Sequence, residues 1–163
     1  MFGIVTAEDF HAKSKRDYLR LAASRADADL SMNAILSNYH LHEWTWSLVL
    51  KTRRPIDLDG TIIRNMDEWV KWLEANCPYF AVLRDLANGS KHCIPAVYST
   101  DRVEGFGQGP YGVGPYGVPY LLLDLGNDLD AGSRWLVGSE IVREASEFWD
   151  GFFEKHVRSD TAS

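Results

Sequence analysis

Residues 30–51, LSMNAILSNYHLHEWTWSLVLK, decide how the rest of the chain is read. Written on a helix, they place apolar side chains around most of the circumference, as a helix enclosed by partners requires and a surface helix does not. The stretch predicts the central, most buried helix of a bundle, over about Leu30–Lys51. The flanks supply its partners. Upstream, a helix is expected over Ala7–Ala26, with Thr6 as N-cap, Asp9 in capping-box position, and a partial apolar face of Phe10, Tyr18, Leu21 and Ala22. Downstream, Pro55–Gly60 reads as a turn, and Met66, Trp69, Val70 and Leu73 mark a third helix over Met66–Asn76. Pro78 and Pro95 bound a fourth helix over Tyr79–His92.

The period then changes. IPAVYST (94–100), PYLLLDLG (119–126) and RWLV (134–137) read as short strands, with a turn in GNDLDAG (126–132). Between the first two lies a Gly-rich loop, 105–118, containing the doubled pentad GPYGVGPYGV, expected to be mobile or to dock through Tyr111 and Tyr116. A last helix, Ser139–His156, carries Ile141, Val142, Ala145, Phe148, Trp149, Phe152 and Phe153 on one face, and 159–163 reads as a disordered tail. The sum is a mainly α single domain, 1–158: a bundle of about five helices with a small antiparallel sheet inserted at 94–138, before the last helix.

Composition agrees with one soluble domain. The chain has 163 residues, 45% apolar and 25% charged, enough to bury roughly 70% of its unfolded surface without disulfide or metal staples. Cys77 and Cys93 lack zinc or redox spacing and read as reduced thiols. No apolar run approaches a membrane span and the first residues lack the order of a signal peptide, so no membrane contact and a cytoplasmic location are expected. The tryptophans Trp44, Trp46, Trp69 and Trp72 are spaced for packing between helices.

Net charge is −6, which disfavours sequence-blind binding of polyanions. The charge is uneven: Lys13, Lys15, Arg16, Arg20 and Arg25 face only Asp17 between residues 11 and 25, whereas the C-terminal third is strongly acidic. A focal RNA contact on the basic side, or a simple solvated helix face, fits the first cluster.

Two polar stripes could carry chemistry. At 100° per residue, Arg84, Asp85, Asn88, Lys91 and His92 share an arc of roughly 120° on the fourth helix. On the second, Asn33, Ser37, His40 and Ser47 lie within about 80°, with Glu43 about 60° from His40. A polar stripe on a buried helix is costly unless paired, so His40 or Glu43 is expected to meet Arg84, Asn88 or His92 across the bundle. Three chemistries fit. RNA cleavage without a metal needs a base, an acid and a cation, which histidine with arginine and lysine supplies. A metal site could use His40, Glu43 and His92, but carboxylate-bridged pairs need more inward acids than the chain shows. The third is purely structural, a buried Glu43–Arg84 ion pair. His42 reads as a packed or surface histidine, and His11 and His156 as exposed at helix edges.

The motif RDLANGSKH, 84–92, resembles that of the HEPN superfamily, helical-bundle proteins of toxin–antitoxin, antiviral-defence and RNA-processing systems, many of them metal-independent ribonucleases. The succession of YHLHEW, CPYFAVLRDLANGSKH, strands and EFWDGFFEKH is also similar to a group of bacterial proteins with no assigned activity. The HEPN resemblance implies that Arg84 stabilises phosphate, Asp85 is the polar residue after it and His92 is the acid or base; the two polar stripes add Asn88, Lys91, His40 and Glu43 in support. Seven residues separate Arg84 from His92, a longer interval than the family usually carries. It further implies a homodimer whose two motifs share one cleft, RNA as substrate, no cofactor and no metal. Some members have lost catalysis, so the alternative is a non-catalytic interaction or assembly module, antitoxin-like or accessory, whose partner is a protein of the same operon.

Overall fold

The computed structural model describes residues 2–92, 99–105, 108–126 and 134–158, with the backbone alone at 91 and 92. Helix α1, Ala7–Ala23, opens with the expected box: Thr6 Oγ1 accepts from the Asp9 amide at 3.0 Å, and the Asp9 carboxylate accepts from the Thr6 amide at 3.0 Å. It ends three residues before Ala26, because Asp27 caps the next helix through the Leu30 amide at 2.9 Å. Helix α2, Ala28–Thr45, continues through a π-helical turn, Trp46–Leu50, and a last α turn, Lys51–Arg53. Arg54 is then extended, as a residue before proline must be.

The expected turn at Pro55–Gly60 holds only for Asp59 and Gly60, the tip of a hairpin, because the residues before them form a strand. β1, Ile56–Leu58, pairs antiparallel with β2, Thr61–Ile63, across Asp59 and Gly60, whose φ of 53° and 87° match a two-residue type I′ turn. Helix α3 spans Met66–Asn76, capped by Asn65 through the Glu68 amide at 2.9 Å. Helix α4, Phe80–His92, runs without a break through Asn88 and Gly89. Strands β3 (Ser99–Val103), β4 (Tyr120–Asp124) and β5 (Trp135–Val137) form an antiparallel sheet in that order, with Val103 opposite Tyr120 and Leu122 opposite Val137. The expected first strand begins at Ser99; 94–98, most of the 126–132 turn, Cys93 and the 159–163 tail lie outside the described residues. Helix α5, Gly138–Phe152, follows β5 directly and closes in a second π turn, Phe153–Arg158.

The chain is thus a mainly helical bundle with two small antiparallel sheets. α2 is central, packed by α1, α4 and α5. Trp69, Trp149, Phe80, Phe153, Leu41, Leu73 and Ile141 fill the core. The two fully buried indoles also satisfy their N–H groups on the α2 backbone, Trp149 at the Asn38 carbonyl and Trp69 at the His42 carbonyl, both 3.2 Å. No helix among the described residues is long and apolar enough to cross a membrane.

Candidate functional site

Phe80, Leu83, Leu86 and Ala87 bury one side of α4. Phe80 lies against Tyr39 and His42 of α2, with ring centroids 5.7 and 5.3 Å apart, and this contact sets α4 beside the second half of α2. Tyr39, His40 and Glu43 then share an outer face with Arg84, Asp85 and Asn88. Their proximity shows at the Tyr39 hydroxyl, whose pKa burial raises together with the Glu43 charge, while Arg84 and a hydrogen bond with Asn88 oppose the rise.

The pairing inside this face differs from expectation. His40 Nδ1 meets Glu43 Oε2 on its own helix at 3.0 Å. No ion pair between Glu43 and Arg84 forms among the described residues; Arg84 instead holds the Glu74 carboxylate of α3 and, through Nε at 3.3 Å, Asp85. The reason is orientation: His40, Glu43, Arg84 and Asp85 stay partly exposed beside the α2–α4 seam, while Ser37 of the same α2 stripe is buried against α1, where it meets Asp17. Arg84 keeps 34% of its side chain exposed, and Nη2 has no partner among the described residues. Partial burial opposes its charge, but Asp85 and Glu74 outweigh that and raise its pKa.

The unbroken α4 means that Gly89 does not end the helix, so backbone position places His92 about 80° around the axis from Arg84. The side chains of Lys91 and His92 lie outside the described residues. Among the described residues no three His, Cys, Asp or Glu side chains gather to hold a metal ion, and His40 with Glu43 offers two donors only.

A second polar assembly escaped the sequence reading. The inner face of α1 is Ala7, His11, Ser14, Asp17 and Leu21, all buried, at steps of four and three residues. That spacing is legible once polar residues are allowed on a core face. His11, expected at an exposed edge, is 2% exposed: its ring stacks on Phe153 at 4.2 Å, and Nε2 lies 2.8 Å from Asp150 Oδ1, a close but poorly directed contact. Lys15 takes the other oxygen of Asp150 at 2.9 Å. Burial lowers the His11 pKa against the opposing pull of Asp150, and the charges of Lys15 and Arg158 lower it further. Asp17 accepts from Lys13 and from Ser37 of α2, both at 2.5 Å. His156 is also largely covered, 3.7 Å from Asp59. These contacts join α1 to α2 and α5 and the hairpin to the C-terminal turn and read as framework, with Lys15, Asp150 and Asp59 at its exposed margin. The expected packing role of the tryptophans holds for Trp46, Trp69 and Trp72, which are buried, and Trp44 stacks on Phe10 at 4.7 Å.

Comparison of the chain with family models, with curated proteins and with solved structures finds no match. The functional reading therefore rests on the residues themselves.

Proposed function

We propose that the α2–α4 face is a HEPN-like, metal-independent endoribonuclease site, of a toxin or antiviral-defence kind, completed by the same face of a second copy. The observation that carries this reading is the continuity of α4 through Gly89, which keeps Arg84, Asn88 and His92 on one helix while Arg84 stays accessible. The chemistry needs nothing beyond RNA and these groups. One histidine takes the proton of a ribose 2′-hydroxyl; the 2′-oxygen attacks the adjacent phosphorus, and the bond from phosphorus to the 5′-oxygen breaks as an acid protonates that oxygen. The products are a 2′,3′-cyclic phosphate and a free 5′-hydroxyl. Arg84 Nη2 supplies donors for the charge that builds on the phosphate oxygens. Two copies facing each other bring a second His92, which allows base and acid to be separate groups.

A specific observation favours a second reading. Glu74 and Asp85 set two carboxylates against Arg84, and Glu43 adds a third near Tyr39 on the same face, a balance that repels a polyanion and suits a basic protein surface. On this reading the chain is a non-catalytic association module. The two separate cleanly when wild-type, Arg84→Ala and His92→Ala proteins are incubated with mixed RNA in EDTA and the ends are analysed. Cyclic-phosphate ends from wild type alone, with a dimer by light scattering, support the nuclease. Intact RNA in all three reactions refutes it and leaves the association module.

A further inference from the structure

The basic cluster of α1 and the repeated GPYGV pentads play no part in the α2–α4 face, yet the fold brings them to neighbouring surface. Arg16, Arg20 and Ala23 are exposed and follow one another at i, i+4 and i+7, a stripe along the outside of α1. Arg16 makes no ion pair among the described residues, and Arg20 reaches Asp17 Oδ1 at 3.5 Å with most of its side chain exposed. Ala23 opens onto a hollow of about 480 Å³ that Arg25 shares with Arg102 of β3, Val118 and Pro119. The Leu121 amide donates to the Arg25 carbonyl at 3.3 Å, so the end of α1 is tied to the sheet at this point. The Arg25–Glu140 pair at 3.9 Å and the Arg102–Glu104 pair at 2.5 Å are both exposed, the kind of pairing that a phosphate can replace. Asp27 is already committed to the α2 cap.

The Gly-rich loop continues from that hollow and is folded on a fixed support. The Tyr120 hydroxyl donates to the Val113 carbonyl at 2.8 Å, and a Cβ on Gly114 would overlap the Tyr120 ring. Within each pentad the glycine after the tyrosine takes a left-handed φ, 78° at Gly112 and 75° at Gly117. In the first, the Val113 amide returns to the Pro110 carbonyl at 3.2 Å, closing a type II turn. The Tyr-Gly step of the pentad therefore repeats in conformation, although Gly114 is left-handed and Gly109 is not, and its product is two outward tyrosines, Tyr111 and Tyr116, each more than four-fifths exposed. Rings so exposed on an anchored loop present flat faces to solvent that suit stacking partners.

We infer that this surface is a binding track for single-stranded RNA, with phosphates along Arg16, Arg20, Arg25 and Arg102 and bases stacked on Tyr111 and Tyr116. Exposed cations followed by exposed aromatic rings are the two components by which single strands are held without sequence preference. A duplex keeps its bases stacked inside and cannot use the rings. The inference rests on the RNA reading above and names where the strand would lie, but it does not require cleavage.

The test uses a short labelled single-stranded RNA with 2′-O-methyl sugars, which cannot be cut, and reads anisotropy over a salt series. Arg16→Ala/Arg20→Ala should weaken binding about tenfold and lower the slope of log Kd against log salt by about 1.4, two phosphate contacts' worth. Tyr111→Ala/Tyr116→Ala should weaken it at least about fivefold per stacked base with the slope unchanged, and should leave a duplex control unaffected. Absence of wild-type binding, or wild-type affinity in either double variant with folding shown by circular dichroism, overturns the track. Cleavage of unmodified RNA that ignores all four substitutions would refute the track and spare the nuclease; dependent binding without cleavage would do the reverse.

Discussion

Lowering the pH from 7.5 to 5.5 should weaken the fold through two buried histidines. His11 and His42 are 2% and 3% exposed. Burial lowers the pKa of each; at His11 Asp150 opposes and Lys15 and Arg158 assist, and at His42 the Tyr39 carbonyl and Glu43 oppose and His40 assists. His42 Nδ1 donates to the Tyr39 carbonyl at 2.5 Å. A histidine with a depressed folded pKa is neutral in the fold while the unfolded chain protonates near pH 6.5, so stability is complete above that value and is lost as pH falls toward the folded pKa. One proton taken up on unfolding costs at most about 1.4 kcal/mol per pH unit, so the two together can remove up to about 2.7 kcal/mol across this window. The carboxylates with lowered pKa, Asp9, Asp59 and Asp124, titrate below it. Urea unfolding at several pH values, for wild type and for His11→Gln/His42→Gln, gives the measurement. Wild type should lose stability on acidification while the double variant, weaker at neutral pH, should show a flatter profile. A wild-type profile as flat as the variant's, or rising toward pH 5.5, would show that these imidazoles are not held neutral.

Three further outcomes are expected. Trp149→Ala, which empties a fully buried site beside Trp69, Phe152 and Phe153 and frees the Asn38 carbonyl, should cost about 3–5 kcal/mol in urea unfolding; a loss under about 1 kcal/mol would contradict the packing described. Gly114→Ala, at φ 81° and against the Tyr120 ring, should speed hydrogen exchange over residues 109–118 by about tenfold or more, and unchanged protection would mean the loop is not folded on Tyr120. Glu74→Gln should leave stability within about 1 kcal/mol, because the pair is exposed, yet raise RNA cleavage by releasing Arg84; an equal or lower rate would remove Glu74 as a restraint on the guanidinium.

Periodicity and caps made most of the bundle readable. The all-round apolar α2 is central, the Met66–Asn76 helix has the expected bounds, and Thr6 with Asp9 forms its box. The β1–β2 hairpin was missed because three-residue strands carry almost no period, although Asp59–Gly60 is the dipeptide such a turn favours. The inner face of α1 was missed for a different reason: His11, Ser14 and Asp17 look like surface residues until Asp150, more than a hundred positions away, is brought beside them. The α2–α4 face was half legible. Helical angles put Arg84 and Asn88 together, but nothing in α4 could announce that Glu74 of α3 would reach Arg84 first.

The π turn at Trp46–Leu50 makes α2 tolerant of a change in length at one point. Such a turn holds one residue more than an α-helix needs to connect the same two ends. Ser47 and Leu48 are exposed there, while Trp46, Val49 and Leu50 are buried, so the surplus residue sits on the solvent side. Deleting Leu48 would let the turn relax to α-helical pitch with the residues on either side still facing inward. The same deletion between Ala34 and Leu41 would swing every later α2 side chain by about 100°. The helix thus carries, at one place, a surplus residue whose removal the bundle could absorb without refolding.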